Sequence, residues 1–491
     1  MAKFLTYIKP FIDNYKKQVI DEDFIKININ NIFANNNLQK ESVLCIGEVQ
    51  SGKTKNIIEC VKYAVNNNYN IIIVLGGVTN LLLEQSKKRL IEDLSYHEVI
   101  ARVIDAKENL YHNIETCLSK NIPVVVLTLK GSYQLEELLN SINNCNIIDK
   151  KILIIDDECD FGSINVSKNN DFQSLLYKKI CNLFSRIKYG KLLSFTATPF
   201  SNILSDKSWI LKPDRIVSLI SYTDYCGCEK FNNSDCYLLI DNDKNDFDWK
   251  ILKKTFIYWL LCTSVMLLDI DKGIYSGNAK SELLINVSYE NNKQEEILEI
   301  LKKIFDEFYS SDYRNIRYWI LDYLIKIGFE ISPYSVDELI NKVKFIYNQV
   351  SINKNECFIL LNREGDSAEK FSKNKNNFLI IVSGFMASRG VTFKYLICEL
   401  FLNSSENCTK IDSLLQKCRW FGNRKNTMKY MRILLNQGIK DSLFYAQKYI
   451  NLFKGGNVYT LKNLKSELLD LDYESKKNKW KVISTENGKR K

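Results

Sequence analysis

Gly47-Glu48-Val49-Gln50-Ser51-Gly52-Lys53-Thr54 is a glycine, four residues, then Gly-Lys-Thr. That spacing suits a phosphate chain: backbone N–H groups cradle the anion, a lysine reaches the β/γ-phosphates and a hydroxyl ligates Mg²⁺. The flanks match. Val43–Ile46 is an apolar run that reads as a buried strand, and Ile57, Ile58, Val61, Ala64 and Val65 repeat at helical spacing after the loop. Strand, glycine loop and helix N-terminus together aim positive dipole at one point. A chance match in a turn would lack both flanks. Gly47, Gln50, Ser51, Gly52, Lys53 and Thr54 are therefore the expected nucleotide-binding residues.

A second cluster fits the first. Ile152–Ile155 reads as a buried strand, and Asp156-Asp157-Glu158-Cys159-Asp160 follows at its carboxyl end. Ligands of open α/β sheets bind at such ends. Asp157 is the expected carboxylate on the metal side, and Glu158 the group that takes the proton of an attacking water. A solvated acidic turn is the alternative, but four carboxylates in five residues on a wholly apolar strand argue against it. Leu192–Phe195 is another strand, ending in Thr196-Ala197-Thr198-Pro199. Thr196 and Thr198 are expected to couple the nucleotide site to a partner domain, as Thr-Ala-Thr steps do in motor ATPases.

The second half has its own candidates. Ser388-Arg389-Gly390-Val391-Thr392 follows a strand, and Gln416-Lys417-Cys418-Arg419-Trp420-Phe421-Gly422-Asn423-Arg424 lies further on. Arg389, Arg419 and Arg424 are read as arginine fingers that cross a cleft to a γ-phosphate, an interaction worth ~10³–10⁵ in rate. Surface ion pairs are the blander reading. Gln416 joins Thr196 and Thr198 as a coupling residue.

Those motifs need a frame. From Ser42 to Asn202 apolar strands alternate with helical patterns, and the alternation resumes from Leu283 to Leu435. Such alternation predicts parallel sheets with helices on both faces. A polar stretch near Asn232–Asp248 and a helix over about Trp249–Leu268 read as a helical insertion. The expected division is 1–205 for the nucleotide-binding domain with a helical lead-in, 206–275 for the insertion, 276–455 for the second sheet domain and 456–491 for a basic tail.

The 491 residues suffice for two or three domains. No apolar run is read as spanning a bilayer, which needs ~20 residues. The start of the chain lacks a signal-peptide pattern. A cytoplasmic location is expected, with reduced thiols among the 14 cysteines. Cys226, Cys228 and Cys236 lack a fourth zinc ligand at usual spacing. With two histidines in the chain, histidine-based catalysis is not expected. Net charge is +10, spread along the chain, which suits nucleic acid. Its densest part, Lys476 to Lys491, reads equally as a solvated end or a nucleic-acid contact.

In this order the motifs resemble a superfamily-two helicase core with two RecA-like domains. In detail they resemble the Z-one domain family, helicase-like proteins often labelled endonucleases. Beyond the phosphate loop and Asp156–Asp160, the resembling segments are Leu75-Gly76-Gly77-Val78-Thr79-Asn80-Leu81 with Gln85 and Arg89, and Thr196 to Asn202. Tyr225-Cys226-Gly227, Ser388 to Thr392 and Arg419-Trp420-Phe421-Gly422 complete the set. Cys159, Cys418 and Asn423 depart from it, standing where alanine, glycine and an aromatic are usual.

The resemblance implies an α/β fold of two RecA-like domains, with ATP and Mg²⁺ used in work on nucleic acid, DNA favoured. It also implies a setting beside methylases or nucleases in restriction or anti-phage defence. The expected activity is a translocase or remodeller; the alternative is an ATP-switched clamp or assembly subunit with slow turnover. The expected nucleic-acid track is Gly76, Gly77, Thr79, Asn80, Thr128, Lys130 and Ser288, in loops after strands. Nuclease activity is not expected of this chain alone, since no carboxylate cluster outside Asp156–Asp160 looks built for metals.

Overall fold

A computed structural model describes residues 2–35, 39–76, 87–88, 90–92, 94, 101–105, 109–161, 163, 174–204, 211–240, 249–286, 290–310, 313–327, 334–362, 367–384, 391–402, 411–453 and 455–477. The chain forms two compact units. One comprises Met1–Thr223, Lys410–Asp412 and Lys448–Lys491; the other comprises Asp224–Thr409 and Ser413–Gln447.

In chain order the first unit supplies β1 (Lys40–Ile46), β2 (Ile71–Leu75), β3 (Arg102–Asp105), β4 (Val124–Thr128), β5 (Lys151–Asp156), β6 (Tyr189–Thr196) and β7 (Arg215–Ser218). The second supplies β8 (Tyr225–Cys226), β9 (Tyr237–Leu239), β10 (Ser281–Asn286), β11 (Phe358–Leu361), β12 (Phe378–Ser383), β13 (Leu396–Phe401), β14 (Gly422–Asn423) and β15 (Arg432–Leu435). β16 (Val458–Tyr459) returns to the first unit. The first sheet runs β16-β7-β1-β6-β5-β2-β4-β3, and only β16 is antiparallel. The second runs β11-β12-β10-β13-β15-β9 and is parallel throughout.

The runs of Ile and Val in these strands reflect burial on both faces. Along β2, Ile71, Ile73 and Leu75 enter one core while Ile72 and Val74 enter the other. β5 divides the same way, with Ile152 and Ile154 opposite Leu153 and Ile155. Side chains alternate across a strand, so a central strand must be apolar at every position to feed both layers.

The expected insertion is not a separate body. β7 joins the first sheet and β9 the second, so residues 206–275 are shared between the two units. The helix Trp249–Asp271 is the core helix of the second unit. It is long and apolar enough to cross a membrane, contrary to the reading from sequence, but most of it is buried inside the protein. Phe256, Trp259, Leu260 and Met266 pack in the same core as Leu283, Ile285 and Ile380 of the sheet. A helix that is apolar all round has to be covered all round. Its polar atoms are satisfied: Trp259 Nε1 donates to Ser281 Oγ at 2.7 Å, and Thr263 Oγ1 lies 2.7 Å from the same oxygen. The basic tail is also partly folded. β16 pairs with β7, and the helix Leu461–Lys477 buries Leu464 and Leu468.

One polar cluster sits inside the first unit. Glu41 of β1 is buried and accepts from Arg215 Nε at 2.9 Å and from Lys191. Burial pushes its carboxyl up, but the Arg215 and Lys191 hydrogen bonds outweigh that and hold it below the usual range. Its pairing therefore stabilises the fold fully above the unfolded value near 4.5 and is lost as pH falls through the lower folded value. Glu41→Ala leaves two cations unpaired in the interior. It should lower the stability of the first unit by about 3–5 kcal/mol in urea unfolding at neutral pH, with a smaller deficit in acid.

Candidate functional site

The strand order builds the site. β6 lies between β1 and β5, so three strand ends meet along one edge. Gly47 N donates to Thr196 O at 3.0 Å, and Cys159 N to Phe195 O at 2.9 Å. The phosphate loop, the Thr196 turn and the acidic turn are thus held to one another by backbone. Thr196 Oγ1 donates to Asp160 Oδ1 at 3.3 Å and accepts from Thr198 N at 2.9 Å, so Thr196 links two of the three turns.

The loop leads into α2 (Lys53–Asn66), with Gly52 as its N-cap at φ 94°. Gly52 is required twice over. Its φ is in the left-handed region, and a Cβ would lie 2.1 Å from Tyr222 Cε2. Gln50 is also left-handed, at φ 58°. Lys53 Nζ folds back on its own loop, donating to Glu48 O at 2.9 Å and Gly47 O at 3.2 Å. The Thr54 residue is exposed.

In the acidic turn Glu158 has φ 53°, a strained value for a residue with a side chain, and such values cluster at functional sites. Its N–H donates to Asp157 Oδ1 at 3.0 Å. Burial raises the Asp157 carboxyl to about 6; Glu158 adds to the rise while Lys53 and Lys130 oppose it. Three expected functional side chains, Lys53, Asp157 and Glu158, thus share one edge of one unit.

Lys130 has another task than the one read from sequence. Its side chain is buried and pairs with Asp156 at 3.0 Å. It also donates to Glu158 O at 2.7 Å and Phe161 O at 3.0 Å. It pins the acidic turn from within and is not presented to a phosphate backbone. Asp156 likewise faces inward, accepting from Ser163. Thr128 is buried at the end of β4, where its carbonyl accepts from Gly76 N at 3.0 Å. Gly76 follows β2, with nothing within 4 Å of where its Cβ would be. Gly77, Thr79, Asn80, Ser288 and Arg389 lie outside the described residues.

In the second unit, two of the family-like segments come together. Tyr225-Cys226 pairs antiparallel with Gly422-Asn423, and the amides of Arg424 and Lys425 donate to Asp224 O. Trp420 is fully buried against Phe401 and Phe421. Cys418 is buried at the end of the helix Ile411–Lys417, where its thiol donates to Leu414 O. Gln416 lies in that helix and its carbonyl accepts from Arg419 Nη1 at 3.3 Å. Arg419 Nη2 also donates to Val391 O. Arg424 is buried, donating to Trp420 O at 3.2 Å, Lys394 O at 2.9 Å and Phe393 O. Burial lowers its pKa, and Glu282 and Glu399 oppose that. In place of an offered finger, Arg424 is a core cation that closes the Arg-Trp-Phe-Gly turn.

A family model described as the Z1 domain matches residues 252–483. The match takes in most of the second unit and the returning C-terminal segment, and begins after the phosphate loop. Among solved structures the chain is similar to the helicase domain of Hef from Pyrococcus furiosus, at 13% identity and TM-score 0.37, over 87% of this chain and 99% of that one. It is also similar to Mss116p bound to ssRNA and AMP-PNP, at 10% identity and TM-score 0.42, over 84% of this chain and 68% of that one. None of the curated protein sequences matches it.

Both buried cations give a clear expectation. Lys130→Met should lower stability by about 3–5 kcal/mol in chemical denaturation because it strands the buried Asp156 carboxylate, and Arg424→Ala by about 1–3 kcal/mol or more because it leaves the carbonyls of Phe393, Lys394 and Trp420 without their donor. For Lys130→Met, nucleic-acid affinity per folded molecule should stay unchanged, read as binding titrations corrected for the folded fraction.

Proposed function

We propose that this chain is a nucleic-acid-dependent ATPase of superfamily-two helicase type. The observation that carries the reading is the shared edge of the first sheet, where the Lys53 loop, the Asp157-Glu158 turn and Thr196 are joined by backbone hydrogen bonds. The match of residues 252–483 to the Z1 domain model supports the helicase-like assignment.

Each side chain takes a role that suits its chemistry. The loop amides and Lys53 bind the phosphates. Thr54 and Asp157 offer the hard oxygen donors that suit Mg²⁺. Mg²⁺ held there with the nucleotide would neutralise charge on the phosphates. Glu158 takes the proton of the attacking water. Arg389 is the guanidinium group assigned to transition-state charge; Arg419, buried and bonded to the Gln416 and Val391 carbonyls, is held from that role as Arg424 is. Thr196, Thr198 and Gln416 are assigned to coupling. Nucleic acid is assigned to Gly76, Gly77, Thr79, Asn80 and Ser288, with DNA the favoured partner. Translocation or remodelling in defence against phage, beside a nuclease or methylase and in the cytoplasm, is the setting that the family resemblance suggests.

ATP hydrolysis measured without nucleic acid, with single strands and with duplex tests the reading directly. Turnover should rise with one of the two nucleic acids, and that stimulation should fall steeply as salt screens the phosphates. Lys53→Ala should abolish it in a folded protein. Equal rates in all three conditions would refute the nucleic-acid dependence.

Glu158→Gln separates the chemical step from binding. The amide is nearly isosteric and cannot accept the proton, so ATP affinity should hold while turnover falls by ~10²–10⁴. A collapse of ATP affinity instead would reassign Glu158 to structure or metal.

A further inference from the structure

The segment that follows β7 runs alongside the phosphate loop from one end to the other. Leu219 Cδ1 lies 3.2 Å from where a Cβ on Gly47 would be, and the Tyr222 ring lies against Gly52. The segment is pinned on its far side. Ile220 N donates to Asn28 Oδ1 at 2.8 Å, and Asn28 Nδ2 donates back to Ile220 O at 3.1 Å. The same amide donates to Asn56 Oδ1 of α2 at 3.0 Å. Thr223 N donates to Asp21 Oδ1 at 2.8 Å. Asn28 is fully buried, so this clamp joins three elements: the helix α1 (Ala2–Ile32), α2 and the segment.

Tyr222 itself stays partly exposed, whereas Tyr69, Tyr177, Phe195 and Phe200 of the same unit are fully buried. A phosphate loop of this kind cradles the phosphates in its amides. The nucleoside must leave from the helix-start end, where Gly52 and Tyr222 sit. Ser218–Ser221 also line a hollow of about 280 Å³ with Ile46, Glu48 and Phe453, at the strand end of the loop, so the same segment borders open space before it reaches Gly52. Nothing else in the loop offers an aromatic face.

We propose that Tyr222 is the base-stacking residue of the nucleotide site, a rigid ring held beside Gly52 for the purine of a bound nucleoside triphosphate. The proposal rests on the phosphate-loop reading above. It assigns recognition of the base to a residue about 170 positions after the loop, carried there by β7.

Binding of ATP and of inorganic tripolyphosphate, measured by calorimetry on the full chain, tests it. Tyr222→Leu keeps apolar cover over Gly52 and removes the π-face. It should weaken ATP about tenfold, within the range for one lost base–aromatic stack, and leave tripolyphosphate unchanged. Tyr222→Phe should bind both as the unaltered chain does. Lys53→Ala should weaken both ligands. Unchanged ATP affinity in Tyr222→Leu beside a damaged Lys53→Ala would overturn the stacking role alone. Equal losses of ATP and tripolyphosphate in Tyr222→Leu would overturn it too, showing a ring that only shapes the loop. A Lys53→Ala chain that binds both ligands normally would sink the phosphate-loop reading and this proposal with it.

Discussion

Parallel pairing of β1, β6 and β5 is the constraint on which the site depends. Parallel strands carry their carboxyl ends to one edge, and the order of strands decides which loops become neighbours. With β6 in the middle, the phosphate loop and the acidic turn each bond to the end of that strand, through Thr196 O and Phe195 O. Their separation is then set by sheet geometry. The two loops need no contact between side chains to stay in register.

Buried charge sets the shape of the turn. The Lys130–Asp156 pair lies inside the first unit, and Lys130 also gathers the carbonyls of Glu158 and Phe161. That gathering accompanies the left-handed backbone of Glu158, which would otherwise relax. A charge pair in the interior adds little net stability over a packed apolar pair, yet removing one partner is strongly destabilising. Its use here is geometric. Asp156 is the anchor, paired with Lys130 and Ser163, whereas Asp157 has neither of those partners, and so the two take different roles although they are adjacent in sequence. Arg424 plays the equivalent part in the second unit, where it ties the carbonyls of Phe393, Lys394 and Trp420 around the Arg-Trp-Phe-Gly turn.

The fold and the site were unequally legible. The ten strands read from apolar runs are all present, because a strand covered on both faces must be apolar throughout. β3, β7, β8, β9, β14 and β16 were missed, being two to four residues long. Missing β7 and β9 is what made residues 206–275 look like an insertion. The helix Trp249–Asp271 was recognised as a helix, but its place as a core element was not, since an all-round apolar helix carries no stripe to say which partner it faces.

Residue types alone determined the phosphate loop, the acidic turn and the α/β alternation, because these rest on local chemistry: a glycine backbone, a lysine, carboxylates after an apolar strand. Tertiary structure decided which charges face inward. Lys130 and Arg424 read as free cations in a string of letters, and they differ from surface lysines and arginines only in what surrounds them. Tyr222 is a similar case. Nothing in its neighbourhood along the chain marks it, and its contact with Gly52 exists only because β7 lies beside β1 in the sheet. A contact between residues so distant in sequence follows from strand order, which local pattern does not encode.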